Sequence, residues 1–571
     1  MINVFLSCFV ITYFLTLVSG SLKISLKKNS TCVCEEIVFG LIIISFIALL
    51  FNFFLPLSLN LNTLIFCLII IIAFFKKIFF KNKDEILIIF TISILSSLFL
   101  LYSDSYRPDA GLYHYPYIKI LNDEKIIFGL SNLHTRFGHI SILQYQSAFF
   151  NNLIFGLNAT VIPSAVIAST IITLICKDIF FLLKNKNLNV NFFFLFFLLV
   201  FISFKMNRYG EFGNDAPAHF LLFFLTYIFI KNYKVREKFG DICLISIFII
   251  LNKITLIAAL FFPMIHCFVN RLNHIQIFNF KSILCVFLLF SWLLKNFFIS
   301  ACLVYPMKQT CFENFSWSNI NKIEKYSIGI EAFAKDLPSQ DESTKLKGDI
   351  YYKNFNWFKT WVNNHFKEKI LFNMGIYTAI LLSCFLFLKI KFNRIYEINM
   401  RYLKSDQFPY YLILIVSIVG VSIWFLKSPV FRFGYSYLTL LIASVFCIIL
   451  SKKLLKKKIV FNQLSLKFLV ILCMSAIIIK QVVRFEKRFH ENYNNYPWVK
   501  YYGSGVKNNP TTNNPVKHNN KIIYRTPAAG DQLCYFSKSI CTPQSEVDPK
   551  IKFEIKKNYK FFSISQSKNL K

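Results

Sequence analysis

Apolar stretches of about 20 residues recur along the chain, separated by short polar segments. A helix of that length crosses the roughly 30 Å of hydrocarbon in a bilayer. The sequence therefore predicts an all-α polytopic membrane protein with about 14 transmembrane helices. Asn252 and Lys253 interrupt one stretch, so 241–268 is either two short spans or one bent or re-entrant element. The predicted spans lie near 1–20, 37–55, 61–79, 85–103, 157–177, 190–206, 217–231, 241–252, 254–268, 282–300, 369–388, 408–426, 435–451 and 463–481.

Composition supports a membrane protein, since 55% of the residues are hydrophobic, 16% are charged and the mean hydropathy is +0.51. The formal charge of +35 does not indicate nucleic-acid binding, because many lysines and arginines lie in short segments between spans. Three such segments are 76–83, 231–238 and 452–458. By the positive-inside rule they are cytoplasmic, where they also favour anionic lipid headgroups.

This orientation places four polar segments on the outer face: 104–156, 207–216, 301–368 and the tail from residue 483. The 301–368 loop carries nine Lys and eight Asp or Glu, unlike the basic inner segments. The predicted organisation is a transmembrane region over 1–482, a linker over 483–520 rich in Asn, Pro and Gly, and a small extracytoplasmic α+β domain over 521–571. Residues 116–128 predict a helix lying flat on the bilayer.

Most of the 15 cysteines lie in apolar spans, but two pairs flank short polar stretches in the outer segments. The pairs are Cys302 with Cys311 and Cys534 with Cys541. Disulfides are chemically permitted on that face, and free thiols on the cytoplasmic face are the alternative.

Candidate chemistry is concentrated in the first outer loop. An interfacial carboxylate at Asp109 can take a proton from an alcohol or hold a divalent cation. The alternative is that Asp109 only caps a helix beginning at Ala110. Capping does not explain the other polar residues of the same loop, whose side chains suit phosphate binding. These are Arg107, Tyr113, His114, His134 and Arg136.

A second polar group is predicted on the same face. Asn214 and Asp215 precede one span and either bind substrate or form a solvated turn. Lys253 and Arg432 either pair with Asp215 or a phosphate, or reach the interface as isolated cations. Near the end of the span at 282–300, Lys295 is typical of interfacial anchoring.

Several of these segments resemble a family of bacterial multi-pass membrane proteins placed near the GT-C glycosyltransferases. They are 109–114, 129–138, Tyr305-Pro306, and the tail stretch 527–534 with 541–543. The resemblance implies a GT-C-like bundle in the bacterial cytoplasmic (inner) membrane, with its active site on the extracytoplasmic face. GT-C enzymes use lipid-linked sugar donors and need an acidic residue in the first large outer loop, a position that Asp109 matches.

On this basis we expect a glycosyltransferase of cell-surface glycan synthesis. It would transfer a sugar from a polyprenyl-phosphate donor to a glycan or lipid acceptor. Asp109 would be the catalytic base or the ligand of a divalent metal, Mg²⁺ or Mn²⁺. A transporter or flippase for lipid-linked glycans, an O-antigen-type polymerase and a structural scaffold are the alternatives. The 301–368 loop contains no arginine, which disfavours the polymerase.

Overall fold

A computed structural model describes residues 2–564, except for 22–31, 80, 101–108, 186–188, 207–212, 341–345, 391–406, 457–462, 490–513, 519–520, 528–532, 536 and 549. The described chain is mainly helical. The helices in the first half are α1 (Ile2–Ser21), α2 (Val33–Asn52), α3 (Leu59–Phe75), α4 (Lys83–Leu100), α5 (Tyr115–Asp123), α6 (Leu143–Phe150), α7 (Ile162–Lys184), α8 (Val190–Phe204), α9 (Asp215–Asn232) and α10 (Phe239–Asn252).

The second half adds ten helices and four strands. They are α11 (Phe261–Asn270), α12 (His274–Ile277), α13 (Phe280–Ser300), α14 (Ile320–Ala334), α15 (Gly348–Tyr351), α16 (Phe358–Trp361), α17 (Phe372–Ile390), α18 (Phe408–Lys427), α19 (Phe431–Lys456), α20 (Gln463–Phe489), β1 (Asn514–His518), β2 (Lys521–Thr526), β3 (Ile551–Lys556) and β4 (Tyr559–Ile564). Short 3₁₀ and π turns join several of them.

Eight helical stretches in the described ranges have the length and apolar composition needed to cross a bilayer. The predicted count of 14 is not confirmed. One reason is length: the 15 residues of α8 rise only about 22 Å, less than a hydrocarbon core. The eight are Asn3–Ser21, Val33–Asn52, Ala159–Lys184, Phe280–Ser300, Phe358–Leu386, Phe408–Lys427, Phe431–Ser451 and Leu464–Arg484.

Ion pairs mark one end of the bundle, which we call the basic end. There Lys81 lies 2.8 Å from Glu36, and Lys231 lies 2.6 Å from Asp178. These pairs join the residues before α4 to the start of α2, and the end of α9 to α7. The basic segments 76–83 and 231–238, predicted to share one side of the membrane, therefore lie at the same end.

The opposite end, which we call the loop end, gathers the long polar segments. Lys322 Nζ donates to the carbonyl of Asn132 at 2.9 Å, joining the third outer segment to the first. Lys560 lies 2.5 Å from Glu124, joining the tail to the same first segment. Loop-end residues therefore come from distant parts of the sequence.

The interruption at Asn252 and Lys253 is a reversal of the chain. Helix α10 ends at Asn252, and a 3₁₀ segment, Ile254–Leu260, leads into α11. Helix α11 returns toward the basic end, where Asn270 Nδ2 donates to the carbonyl of Tyr233 at 2.7 Å. The two short helices pack against each other, which places Lys253 at the loop end.

Two antiparallel two-stranded sheets form the described part of the tail, β1 with β2 and β3 with β4. Strand β4 is tied to the first loop by two backbone hydrogen bonds, Phe128 N–H to Lys560 O at 3.0 Å and Phe562 N–H to Phe128 O at 2.9 Å. Helix α20 reaches Phe489 and β1 begins at Asn514, so both elements enter the segment predicted as a linker.

Candidate functional site

Asp109 directly precedes the π-helical turn Ala110–His114, and its side chain makes no capping hydrogen bond. Instead, Asp109 Oδ1 accepts a hydrogen bond from Arg136 Nη1 at 2.7 Å. The two side chains are 40% and 39% exposed, so the pair is open to solvent. The Arg136 guanidinium also lies 4.9 Å from the centre of the Tyr113 ring. The structure thus joins three predicted site residues and does not show the capping alternative.

The two predicted histidines of this loop are buried and serve as braces. His134 Nδ1 accepts the backbone N–H of Arg136 at 3.1 Å, which fixes the turn that carries this arginine. His114 Nδ1 lies 3.1 Å from Gln144 Nε2. Burial lowers the pKa of His134 to about 3 and that of His114 to about 4. Both imidazoles are therefore neutral near pH 7.

A second carboxylate, Asp215, lies between two cations at the start of α9. Lys253 Nζ forms an ion pair with Asp215 Oδ1, and Arg432 Nε lies 3.8 Å from Asp215 Oδ2. The ammonium of Lys253 is also 3.8 Å from the centre of the Phe433 ring. One predicted alternative was that Lys253 and Arg432 pair with Asp215, and the structure shows this arrangement. Asn214 holds the chain reversal, since its Nδ2 donates to the carbonyl of Asn252 at 3.3 Å.

The two carboxylates belong to one electrostatic cluster. Tyr113 and His114 both lie within the influence of Asp109 and of Asp215. Burial, and next the charge of Asp109, raises the pKa of Tyr113 well above its usual range, so its hydroxyl keeps its proton. We call the set Asp109, Tyr113, His114, Arg136, Asp215, Lys253 and Arg432 the polar cluster.

Three residues around the polar cluster were not predicted as part of a site. His219, one turn after Asp215, has Nδ1 2.6 Å from Ser436 Oγ and Nε2 2.9 Å from the carbonyl of Arg432. It therefore positions Arg432. The other two are His139, whose side chain is exposed, and Lys295, which is fully buried. The four-residue spacing of Asp215 and His219 on one helix was an available signal.

The tail contacts the segment that carries Asp109. The backbone N–H groups of Cys534 and Tyr535 donate to the carbonyl of Gly111 at 3.0 and 2.9 Å. A Cβ on Gly111 would lie 2.7 Å from the Tyr535 ring, so glycine permits this approach. Both predicted disulfides are present, Cys302–Cys311 and Cys534–Cys541, with Cα separations of 3.8 and 5.7 Å.

The donor set of the polar cluster does not suit a divalent metal. Asp109 pairs with Arg136, and Asp215 pairs with Lys253. Within the described ranges, no three His, Cys, Asp or Glu side chains converge as a metal site would require. The predicted Arg107 lies outside the described residues, and among those described Arg136 is the cation paired with Asp109.

A family model described as "Domain of unknown function (DUF8201)" matches residues 1–439, about three quarters of the chain. No curated protein and no solved structure matches the chain significantly. The match covers the apolar helices through α18 and every member of the polar cluster. The chain belongs to the DUF8201 family.

Proposed function

We propose that this member of the DUF8201 family is a membrane glycosyltransferase that takes its sugar from a polyprenyl-phosphate donor. The observation that carries the proposal is the polar cluster: a half-exposed carboxylate, Asp109, beside an excess of cations at one end of an apolar helical bundle. Apolar helices suit the lipid chain of such a donor, and the loop end suits its polar headgroup. The substrate would lie partly in the membrane.

The charge balance favours an anionic substrate. Arg136, Lys253 and Arg432 carry three positive charges, and Asp109 and Asp215 carry two negative ones. Preorganised cations stabilise the charge that develops on a departing phosphate, usually the largest electrostatic contribution to such a transfer.

Asp109 is the group we assign as general base. It would accept the proton of the acceptor hydroxyl while the acceptor oxygen bonds to the anomeric carbon and the bond from that carbon to the phosphate oxygen breaks. The lipid phosphate would leave with the bonding electrons. General-base catalysis of this kind contributes roughly 10²- to 10⁴-fold to the rate. Arg136 and Arg432 would face the phosphate, while His134 would act by holding Arg136. We derive no step through a metal ion.

The orientation follows from charge and from cysteine chemistry. We infer that the basic end faces the cytoplasm, because lysine-rich short segments remain there. Both disulfides lie at the loop end, which supports an extracytoplasmic, oxidising location. We place the protein in the bacterial cytoplasmic membrane, with the 301–368 loop and the tail beside the site for a glycan or lipid acceptor.

The test is complementation of a deletion strain with Asp109→Asn, comparing lipid-linked and surface glycans by mass spectrometry. Asp349→Asn is the matched control, because Asp349 is an exposed acid in a loop-end segment outside the polar cluster. We expect Asp109→Asn to insert normally and to reduce one sugar addition by about 10²-fold or more. The control should restore the full profile.

A full glycan profile with Asp109→Asn would refute the transferase and favour the transporter alternative. A transporter that alternates between inward-facing and outward-facing states should carry its charged residues near the bilayer midplane. The polar cluster instead lies at the loop end of its helices, which favours the transferase.

A further inference from the structure

Lys295 is a buried cation in one of the eight membrane-compatible helices, α13. Its side chain is 0% exposed, and its Nζ has no hydrogen-bond partner among the described residues. Its ammonium lies 3.7 Å from the centre of the Trp292 ring, one turn earlier on the same helix. In the described part of the chain, no carboxylate lies within 4.0 Å of it. The sequence-based interpretation as an interfacial anchor is therefore wrong, because an anchor keeps its ammonium in water.

A buried ammonium without a counterion is so costly that the lysine loses its proton unless an anion binds beside it. The contact with Trp292 offsets only part of that cost. Charged residues held inside a membrane protein under such conditions are functional by default. Lys281, at the start of the same helix, behaves differently because it is paired with Asp241. The two lysines of α13 therefore form a natural comparison.

His139 is an exposed residue within the electrostatic range of Lys295. Its side chain is exposed, yet protein surrounds it closely enough that burial, followed by the charges of Lys253, Arg136 and Lys295, lowers its pKa to about 4. The charge of Asp215 acts to raise the pKa of His139 and offsets only part of this lowering. Three basic side chains thus lie within electrostatic range of one exposed imidazole that is itself neutral near pH 7.

The end of α10 is bonded to the residues that follow His139 in the sequence. Ser141 Oγ donates to Asn252 Oδ1 at 2.6 Å, and Ile142 N–H donates to the carbonyl of Leu251 at 3.0 Å. Asn252 is buried, and its Nδ2 has no partner within the described structure. A free amide donor therefore lies next in sequence to Lys253. We use the name His139 hollow for the surroundings of His139, on which Arg136, Lys253 and Lys295 act electrostatically and which Asn252 approaches through its bond with Ser141.

We propose that the His139 hollow is the phosphate-binding subsite, with Lys295 as its buried cation and Asn252 as a neutral donor. The assignment rests on the proposed function in that it locates the phosphate of the same donor. A phosphate suits the hollow because its several oxygens can accept from Lys295 Nζ and Asn252 Nδ2, which have no partner within the described structure, and its charge can balance the Lys295 ammonium. The phosphate would enter past the exposed side chain of His139.

The proposal is tested on the purified full chain in phosphatidylcholine nanodiscs, with undecaprenyl phosphate or inorganic phosphate as the probe. The variant is Lys295→Met, which keeps the length of the side chain and removes the charge. We expect at least a tenfold rise in the Kd of the probe that binds, together with a higher Tm in the absence of the probe. That combination separates a binding cation from a structural one, because loss of a structural lysine lowers the Tm.

Lys281→Met on the same helix is the matched control, and it should leave phosphate binding unchanged. His139→Glu is a second variant at an exposed position, which folding should tolerate. It places a carboxylate among the three cations, so we expect it to abolish phosphate binding and to raise the Tm.

The two probes distinguish the source of the phosphate. Binding that depends on Lys295 for undecaprenyl phosphate alone assigns the hollow to a lipid phosphate, and the same dependence for inorganic phosphate assigns it to a free one. Unchanged affinity in Lys295→Met for both probes, or a lower Tm, overturns the proposal. Binding through Lys295 without any sugar transfer would refute the proposed function and leave the subsite standing.

Discussion

At the scale of single residues, the site is defined by which charges are paired. Asp109 and Asp215 each have a cationic partner, whereas Lys295 has none in the described structure. The half-exposed Asp109–Arg136 pair contributes at most about 1 kcal/mol to stability, as is usual for exposed ion pairs. The geometry of this pair is therefore better explained by positioning the carboxylate than by stabilising the fold.

The histidines make a prediction about pH. His114 and His134 have pKa values of about 4 and 3 in the folded chain, below the ordinary value of 6.5. As the pH falls from about 6.5 toward 4, the unfolded chain binds protons that the folded chain does not. We therefore expect stability to be complete above pH 6.5 and to decline below it. Thermal unfolding between pH 4 and 8 measures this.

His134→Asn should flatten that decline, because an asparagine oxygen can still accept the Arg136 N–H but does not titrate. His274→Asn, at an exposed position on α12, should leave the slope unchanged. An identical pH dependence in His134→Asn and the parent chain would contradict the assignment.

At the scale of elements, the tail and the first loop form one unit. Helix α5 was predicted to lie flat on the bilayer over 116–128, but it ends at Asp123, and Tyr117, Ile118 and Leu121 are buried. Ser539 Oγ donates to Asp123 Oδ2 at 2.7 Å, so the tail contacts the end of this helix. The apolar face of α5 packs on α6 and the first loop, where the Tyr117 ring lies against those of Phe137 and Tyr145, so its pattern reflects packing inside the protein and not contact with a bilayer.

Gly111→Ala tests the contact between the tail and the Asp109 segment. The new Cβ would lie 2.7 Å from the Tyr535 ring, so the ring must shift and the backbone bonds from Cys534 and Tyr535 should weaken. We expect faster trypsin cleavage of the tail in the intact membrane protein. Gly375→Ala is the control, since nothing lies within 4 Å of the corresponding Cβ. Equal cleavage rates in the two variants would show that the contact does not hold the tail.

At the scale of the whole molecule, distant segments meet at the loop end. Lys322, in the third outer segment, donates a hydrogen bond to the carbonyl of Asn132 in the first. Asn319 Nδ2, also in the third segment, donates to Asp548 Oδ2 of the tail at 3.1 Å. Such contacts require these segments to be on one side of the membrane and the basic end to be on the other.

Cysteine labelling checks this arrangement. Lys308→Cys in the third outer segment and Lys552→Cys in the tail should both react with a membrane-impermeant maleimide added to intact cells. Lys234→Cys at the basic end should react only after permeabilisation. The parent chain with its own cysteines gives the background. Labelling of Lys308→Cys and Lys552→Cys from opposite sides would be incompatible with the structure.

The sequence by itself determined the polytopic helical class, the interruption at Asn252 and Lys253, both disulfide pairs, and the grouping of Asp109 with Tyr113 and Arg136. These features are local, or follow from the hydrophobic periodicity and the charge pattern along the sequence. Only the tertiary structure decided that Lys295 is buried and unpaired among the described residues, that His139 is exposed, and that the tail contacts Gly111. Burial and pairing depend on neighbours hundreds of residues away, and no local pattern specifies them.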